Sequence, residues 1–298
     1  MASESRVNNK QNCPLIVIVG QTAAGKSDLA IQIAEKYAGE IICADSRTIY
    51  KGMDVGTAKP DVNDLKAVKH HLLDIIEPDT AYSAGDFKKD AERALNKICS
   101  AGKLPIIVGG TGLYINSLVY DFDFGRMPDQ EYRTKLENLG MDELQKKVKD
   151  LGLSEHQINF KNKRHMIRAI ENGGLVRTKK ALRKDTLIVG IKTDKQALQR
   201  RIRNRIDNML AAGLEDEVRS LADKYGWSAP GLNAIAYKEW ENFFSGRCNL
   251  DQVKENMFKN NWQYARRQKI WFKKDPNIKW TTSLKSLIRQ VDQFLIQY

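Results

Sequence analysis

The sequence contains no long apolar segment of the kind that membrane and secreted proteins carry. None of its apolar runs approaches the roughly 20 residues that a membrane-spanning helix needs. The polar first residues also lack the apolar stretch of a secretory signal. We therefore predict a cytoplasmic protein with no membrane partner, and we expect residues 1–13 to form a disordered tail.

Cysteine is scarce, with four residues in a chain of 298. The cysteines are far apart in the sequence, and no Cys-x-x-Cys pair is present. This spacing argues against a zinc finger and against a redox-active dithiol. We expect reduced structural thiols at Cys13, Cys43, Cys99 and Cys248.

Acidic residues are too few to balance the basic ones. Lysine and arginine total 49, against 37 aspartates and glutamates, which gives a formal net charge of +12. A positive excess attracts polyanions at long range and gains affinity from the release of their counterions. A nucleotide or nucleic-acid partner is therefore favoured, and simple solubility is the alternative.

Short aliphatic runs that alternate with helical patterns indicate an α/β fold. The runs are too short for helices and are bounded by glycine or polar residues, which is typical of buried parallel strands. Their alternation with amphipathic helices predicts a parallel sheet with right-handed crossovers. The predicted strands are residues 15–19, 40–44, 104–108 and 187–191, with 278–280 as an edge strand.

A glycine-rich loop follows the first predicted strand and precedes a helix. Its pattern, Gly-x-x-x-x-Gly-Lys-Ser, lets backbone amides converge on phosphate oxygens, and the helix N-terminus adds its dipole. In such loops the lysine contacts the terminal phosphates and the serine hydroxyl binds Mg²⁺. We therefore predict Ser27 as a ligand of Mg²⁺. The predicted diphosphate- or nucleotide-binding residues are Gly20, Gln21, Thr22, Ala23, Ala24, Gly25, Lys26 and Ser27.

The chain divides into a core and an inserted segment. Residues 14–120 carry the first part of a core of the P-loop NTPase type, and residues 161–298 complete it with a helical C-terminal region. Residues 121–160 are polar and carry apolar residues at helical spacing, which predicts a small helical insertion. A long surface excursion of the same domain is the alternative.

The phosphate loop alone does not name the reaction. ATPases and GTPases usually place a Mg²⁺-coordinating aspartate after a later strand, but the third predicted strand here ends in Gly109, Gly110 and Thr111. The acid instead follows the second strand, as Asp45. An aspartate there is also a candidate base for a substrate hydroxyl in a small-molecule kinase, so the reaction stays open at this point.

Several motifs follow one another along the chain, at residues 20–27, 45–60, 70–74, 82–87, 108–114, 264–268 and 271–272. In this order they resemble the tRNA dimethylallyltransferases, also called tRNA isopentenyltransferases. The resemblance extends from about residue 15 to residue 280. A coincidence of so many ordered motifs is implausible.

The resemblance implies prenyl transfer rather than phosphoryl transfer. In this family the phosphate loop holds dimethylallyl diphosphate, and N6 of adenosine 37 in the tRNA anticodon loop attacks its C1 and expels pyrophosphate. By analogy Asp45 accepts the amine proton, Thr22 lies between loop and substrate, and Arg205 contacts the pyrophosphate. The alternatives are a helix cap or a contact to the magnesium hydration sphere for Asp45, and a solvated helix face for Arg205.

The resemblance also implies a surface for the tRNA anticodon stem-loop. Family members flip one adenine into a channel, because a stacked base hides its amino group. A run of cations and aromatics at residues 266–274 is typical of RNA surfaces, although we expect Trp271 to belong to the core. The residues that match RNA contacts of the family are Asp45, Ser46, Arg47, Thr48, Thr111, Arg164, His165, Met166, Ile167, Arg168, Asn233, Tyr237 and Lys238.

Some positions depart from the family pattern. Ala236 stands where a glycine is usual, and His165 stands where another basic residue is common. The predicted insertion and residues 173–185 are shorter than usual, which implies a reduced grip on the anticodon arm. No Cys/His zinc finger follows the core, so the chain resembles the bacterial members of the family. We also predict that the protein is a monomer.

Three other functions remain open from the sequence. An adenylate isopentenyltransferase would use the same donor on free AMP, ADP or ATP, but the charge of +12 and the RNA-type segments favour tRNA. A small-molecule kinase is suggested by Lys26, Ser27 and Asp45. A non-enzymatic RNA-binding module is suggested by the charge alone.

Overall fold

A computed structural model describes residues 13–122, 124, 129–174 and 180–298 of the chain. The chain forms two compact units. The first comprises Met1–Val119 and Arg183–Tyr298, and the second comprises Tyr120–Leu182. The phosphate loop and Asp45 both belong to the first unit.

The first unit is built on one parallel sheet. Among the described residues its strands are β1 (Leu15–Gly20), β2 (Gly39–Ala44), β3 (His70–His71), β4 (Leu104–Gly109), β5 (Thr186–Ile191) and β6 (Ile278–Thr281). They pair in the order β3-β2-β4-β1-β5-β6, and every pair is parallel. The predicted α/β fold and the five predicted strands are confirmed. β3 escapes prediction because two residues carry no pattern.

The central strands are buried along their whole length. Every residue of β1 and β4 is inaccessible to solvent or nearly so, which explains why their sequences are continuous aliphatic runs rather than alternating ones. Their register pairs Ile16 with Ile106 and Ile18 with Val108. These four side chains belong to one hydrophobic cluster that includes Ala30 and other residues of the first helix after the phosphate loop.

Helices connect the strands and flank the sheet. Along the described chain they are α1 (Lys26–Lys36), α2 (Val62–Ala67), α3 (Ala84–Ser100), α4 (Gly112–Val119), α5 (Gln130–Glu137), α6 (Met141–Asp150), α7 (Lys163–Glu171), α8 (Lys195–Ala211), α9 (Leu214–Tyr225), α10 (Glu241–Phe244), α11 (Leu250–Lys273) and α12 (Leu284–Leu295). Capping boxes start α3 at Ser83 and α11 at Asn249, in agreement with the preference of these residues for helix N-termini. In the described part of the chain, no helix is long and apolar enough to cross a membrane.

The second unit is helical and has a core of its own. It contains α5, α6 and α7, and its buried side chains include Leu144 and Val148 of α6 and Met166 and Ile170 of α7. Because α7 completes the core that α6 begins, the unit continues past residue 160, where the predicted insertion ends, to Leu182.

Two of the four cysteines form a disulfide. Cys13 and Cys99 are bonded, with their Cα atoms 6.0 Å apart and a sequence separation of 86. The expectation of reduced thiols is therefore wrong for this pair, while Cys43 and Cys248 are free. Cys13 precedes β1 and Cys99 lies near the end of α3, which leads into β4, the sheet neighbour of β1. The spacing of the cysteines in the sequence does not show this proximity.

Candidate active site

The carboxyl ends of three neighbouring strands bring the predicted site residues together. β2, β4 and β1 lie side by side in the sheet and run in parallel, so their ends meet at one edge. β1 leads into the phosphate loop, β2 into Asp45, and β4 into Gly110 and Thr111. This is the edge at which open α/β sheets bind their ligands.

The phosphate loop has the backbone geometry of an anion-binding turn. Ala23 and Gly25 have positive φ angles of 57° and 79°, and such alternation of backbone conformation turns successive N–H groups toward one concave side. Gly25 caps α1 without a side-chain hydrogen bond. The first amides of α1 are therefore available to phosphate oxygens, together with the helix dipole.

Lys26 lies inside this loop. Its ammonium group donates a hydrogen bond to the Gln21 carbonyl oxygen at 2.6 Å. Burial lowers the pKa of Lys26 to about 8; the Asp45 carboxylate acts in the opposite direction, and the Arg205 guanidinium adds to the lowering. The charged form of Lys26 is thus destabilised until an anion binds beside it.

Arg205 reaches the same place from α8. Its guanidinium donates to the Thr22 hydroxyl oxygen at 3.3 Å and to the Thr57 carbonyl oxygen at 2.8 Å. Burial lowers the pKa of Arg205 and the Asp45 charge opposes this, but a guanidinium stays protonated at any working pH. Arg201, one turn earlier, donates to the Ala24 carbonyl oxygen at 3.3 Å. α8 therefore presents Arg205 to the phosphate loop and not to bulk solvent.

Asp45 lies close enough to these cations to interact with both. Its carboxylate accepts a hydrogen bond from the Arg47 amide at 2.9 Å, which closes a turn typical of aspartate. The next described helix begins only at Val62, so Asp45 does not cap a helix. Burial, followed by the Asp45 charge, raises the pKa of the neighbouring Tyr264 to about 12. The Asp45 side chain is itself only partly buried, so a substrate amine can approach it.

Gln268 ends the motif at residues 264–268, but it was not among the predicted site residues. Its side-chain oxygen accepts from the Thr22 amide at 2.7 Å, and its side-chain nitrogen donates to the Gly110 carbonyl oxygen at 3.0 Å. A Cβ atom at residue 110 would lie 2.1 Å from that nitrogen, so only glycine permits the contact. Gln268 is buried on the face of α11 that also carries Ala265 and Phe272. A glutamine on an otherwise apolar helix face was the signal available in the sequence.

The comparison with known proteins follows this geometry. A sequence model of the IPP transferase family matches residues 48–275. The chain belongs to this family. It is 40% identical to a tRNA dimethylallyltransferase of Geobacillus kaustophilus over 279 residues, which cover 89% of each chain.

Solved structures of the family have the same fold. The chain is similar to the tRNA isopentenylpyrophosphate transferase of Bacillus halodurans, with a TM-score of 0.74, 32% identity, and 95% of this chain and 96% of that chain covered. It is also similar to a eukaryotic dimethylallyltransferase that was solved acting on tRNA, with a TM-score of 0.76, 25% identity, and 95% and 78% of the two chains covered. The family resemblance of the sequence motifs is thereby confirmed.

One group of the residues predicted to contact RNA lies around the Asp45 turn. Ser46 donates its amide to the Thr111 hydroxyl oxygen at 3.1 Å, which ties the ends of β2 and β4 together. Arg47 donates to the Pro230 carbonyl oxygen at 3.1 Å. Thr48 is nearly buried. The turn is therefore rigidly held next to the candidate base.

A second group of predicted RNA contacts, at residues 233–238, contains both exposed and buried side chains. Asn233 and Lys238 are exposed, whereas Tyr237 is fully buried and its hydroxyl donates to Glu217 at 2.6 Å. The Tyr237 side chain is thus directed to the protein interior and not to an RNA. Ala236 has a φ angle of 79°, so the alanine keeps the left-handed conformation that the usual glycine of the family would favour.

The third group lies on α7 in the second unit. Arg164 and His165 are exposed, but Met166 and Ile167 are buried in the core of that unit. Arg168 is mostly buried and forms an ion pair with Glu171 at 3.1 Å. Of the five residues predicted on α7, Arg164 and His165 are therefore the ones whose side chains are open to a partner.

The basic run of α11 is more exposed than expected. Trp271 keeps 44% of its surface accessible, which makes the expectation of a core residue wrong. One edge of its ring packs on Gly112, where a Cβ atom would lie 2.3 Å from the indole. Arg266 and Arg267 are also exposed, so this part of α11 offers cations and a flat aromatic ring together.

Proposed function

We propose that this protein transfers a dimethylallyl group from dimethylallyl diphosphate to N6 of adenosine 37 in the anticodon loop of tRNA, with release of pyrophosphate. One observation carries the proposal: a phosphate loop with two cations, Lys26 and Arg205, shares its edge of the sheet with the carboxylate of Asp45. A diphosphate requires the cations. An amine that must lose a proton requires the carboxylate.

In this reaction the bond from N6 to C1 of the donor forms while the bond from C1 to the diphosphate oxygen breaks. Negative charge grows on the leaving pyrophosphate, and the loop amides, Lys26 and Arg205 stabilise it from fixed positions. Asp45 accepts the proton that N6 loses. Thr22 is held by Arg205 through its hydroxyl and by Gln268 through its amide, so it fixes the junction between loop and substrate.

Mg²⁺ fits this site as a companion of the diphosphate. Ser27 is exposed in the first turn of α1, directly after Lys26. Among the described residues no group of three or more His, Cys, Asp or Glu side chains forms a metal cage. Mg²⁺ commonly binds through one or two protein ligands and the phosphates of a substrate. Ser27 would supply the hydroxyl ligand, and the ion would supply further charge for the leaving pyrophosphate.

An RNA acceptor is supported by the exposed face of α11 and by the net charge of +12. Aromatic rings such as that of Trp271 stack on unpaired bases, and arginines such as Arg266 and Arg267 contact phosphates. The acceptor adenine must leave its stack before its amino group can react. The same helix sends Gln268 to Thr22, so the proposed RNA surface is directly connected to the donor loop.

Mass spectrometry of the acceptor after reaction tests the proposal. The protein is incubated with dimethylallyl diphosphate and Mg²⁺, and with either a tRNA that carries an unmodified adenosine 37 flanked by adenosines or free AMP. We expect one prenyl group on the tRNA and none on AMP. A product on AMP alone would establish an adenylate isopentenyltransferase instead, and ATP consumption with a phosphorylated product would establish a kinase.

A further inference from the structure

Residues 52–60 form the second half of the motif at residues 45–60, and the reaction proposed above gives this half no role. Most of it is turn, with neither helix nor strand. The Thr57 carbonyl oxygen in this segment accepts the hydrogen bond from Arg205 at 2.8 Å. The position of the guanidinium therefore depends on how firmly the segment itself is held.

Glu217, on the first turns of α9, holds this segment through three consecutive backbone amides. One carboxylate oxygen accepts from the amides of Asp54 and Val55 at 2.9 and 2.7 Å. The other accepts from the amide of Gly56 at 3.0 Å. Charge-assisted hydrogen bonds of this kind are the strong ones, and three of them leave the segment little freedom.

Tyr237 fixes the carboxylate from the other side. Its hydroxyl donates to Glu217 at 2.6 Å, and its ring is packed so closely on Gly56 that a Cβ atom there would lie 2.5 Å from it. Burial, followed by the Glu217 charge, raises the pKa of the Tyr237 hydroxyl far above its usual range. The hydroxyl therefore remains a hydrogen-bond donor at any working pH.

We propose that Glu217, supported by Tyr237, is a positioning residue for Arg205: it fixes residues 54–57 so that the Thr57 carbonyl holds the guanidinium against Thr22. The ligand that benefits is the diphosphate, so this inference rests on the function proposed above. Arginine owes its value at such sites to the fixed geometry of its planar fork. A displacement of about 1 Å in a group that stabilises the reacting centre can cost about a hundredfold in rate.

The affinity for inorganic pyrophosphate, measured by calorimetry in the presence of Mg²⁺, is the first test. Glu217→Ala is expected to weaken pyrophosphate binding about 10- to 100-fold, as loss of a supporting partner does at other sites. Tyr237→Phe removes one hydrogen bond and is expected to weaken binding about fivefold. The matched control is Glu215→Ala on the same helix, whose carboxylate pairs with Arg219 at the surface; its affinity should equal that of the wild type.

A double-mutant cycle separates positioning from general structural support. If Glu217 acts through Arg205, Glu217→Ala should cause less than about a twofold further loss in an Arg205→Ala background, because coupled residues are not additive. If the losses of pyrophosphate affinity in the two single variants simply multiply in the double variant, the proposal is overturned. An unchanged affinity of Glu217→Ala would overturn it as well, and so would pyrophosphate binding that is indifferent to Arg205→Ala.

Pyrophosphate binding keeps this test apart from the test of prenyl transfer. A protein that binds pyrophosphate with a coupled Glu217–Arg205 pair, but prenylates no tRNA, would support the positioning role and refute the proposed reaction. A protein that prenylates tRNA, but shows additive losses in the cycle, would refute the positioning role and leave the reaction standing.

Discussion

The two edges of the parallel sheet both carry clusters of charged side chains, but the sign of the buried charge differs. At the carboxyl edge, Lys26 and Arg205 are partly buried beside one carboxylate, and burial lowers the pKa of both cations. At the amino edge, Glu40 near the start of β2 is buried, and Lys103 and His71 contact it at 2.8 and 2.6 Å. The first cluster therefore holds two partly buried cations with one carboxylate. In the second the buried charge is a single carboxylate, and its lysine partners are half-exposed.

The pKa of Glu40 reflects the partners around its carboxylate. Burial alone would raise it, but the hydrogen bonds from Lys103 and His71, with the charge of Lys69, outweigh burial and lower it to about 2. Removing a partner from a paired buried charge destabilises the fold, whereas buried cations that outnumber their carboxylate favour the binding of an anion. The comparison teaches that an excess of buried cations, rather than charge itself, distinguishes the proposed binding edge from the edge that holds Glu40.

The largest effect is expected at the carboxyl edge, on activity. Asp45→Asn should lower turnover by about 10²- to 10⁴-fold, because the amide keeps the shape but cannot accept the N6 proton. Stability should change little. Prenylation of tRNA under single-turnover conditions measures the effect, with Asp223→Asn on the exposed face of α9 as the control. An unchanged rate for Asp45→Asn would remove Asp45 as the base.

The next effect is expected at the amino edge, on stability. Glu40→Gln should lower the free energy of unfolding by about 2 kcal/mol at neutral pH, because hydrogen bonds to a charged group weaken. Since the folded-state pKa of Glu40 is depressed to about 2, its contribution is complete above the unfolded-state value and is lost as the pH falls toward 2. Urea unfolding between pH 7 and pH 3 should therefore show the two proteins converging. Glu35 is exposed, so Glu35→Gln should have the free energy of unfolding of the wild type. A loss as large as that of Glu40→Gln would contradict the stabilising role of the Glu40 cluster.

A third prediction concerns the pH dependence of pyrophosphate binding. With a pKa of about 8 in the free protein, Lys26 is neutral at higher pH, so binding must then take up a proton. Between pH 8 and pH 9 the charged fraction of Lys26 falls about fivefold. The affinity of the wild type should therefore fall about fivefold more than that of Lys26→Arg, whose guanidinium remains charged. The titration of pyrophosphate itself is common to both proteins. If the affinities of the wild type and of Lys26→Arg fell in parallel as the pH rises, Lys26 would not be the titrating group.

The smallest effect is expected for Lys69→Gln at the amino edge. Lys69 lies 3.5 Å from Glu40, but 53% of its side chain is exposed. An exposed partner of this kind contributes about 0.5 kcal/mol or less. Chemical denaturation of Lys69→Gln and Lys103→Gln compares the two partners of Glu40. A larger loss in the free energy of unfolding for Lys69→Gln than for Lys103→Gln would show that Lys69 is the stronger partner.

The parts of the molecule that local patterns determine were predictable. The five longer strands follow from aliphatic runs, and the loop at residues 20–27 follows from a motif whose every fixed residue has a physical task. Parallel strand direction then accounts for Asp45 lying beside that loop. Arg205 was different, because one arginine among several on α8 was chosen by family resemblance and not by spacing.

The parts that depend on distant contacts were not predictable. Gln268 touches Thr22 across 246 residues, and Glu217 touches Val55 across 162, so no local pattern contains either contact. The disulfide of Cys13 and Cys99 was missed for the same reason. Trp271 was misjudged because an aromatic residue near a buried helix face suggests a core position, whereas burial depends on what packs against it.

The hydrogen bond between Gln268 and the Thr22 amide also sets an order of events during synthesis. The phosphate loop leaves the ribosome early, but the residue that braces it follows 246 positions later. At about 5 to 20 residues per second, this interval lasts on the order of 12 to 50 seconds. During that time the nascent chain carries the loop without its brace, so truncated products that end before α11 should lack the finished donor site however well their sheet is formed.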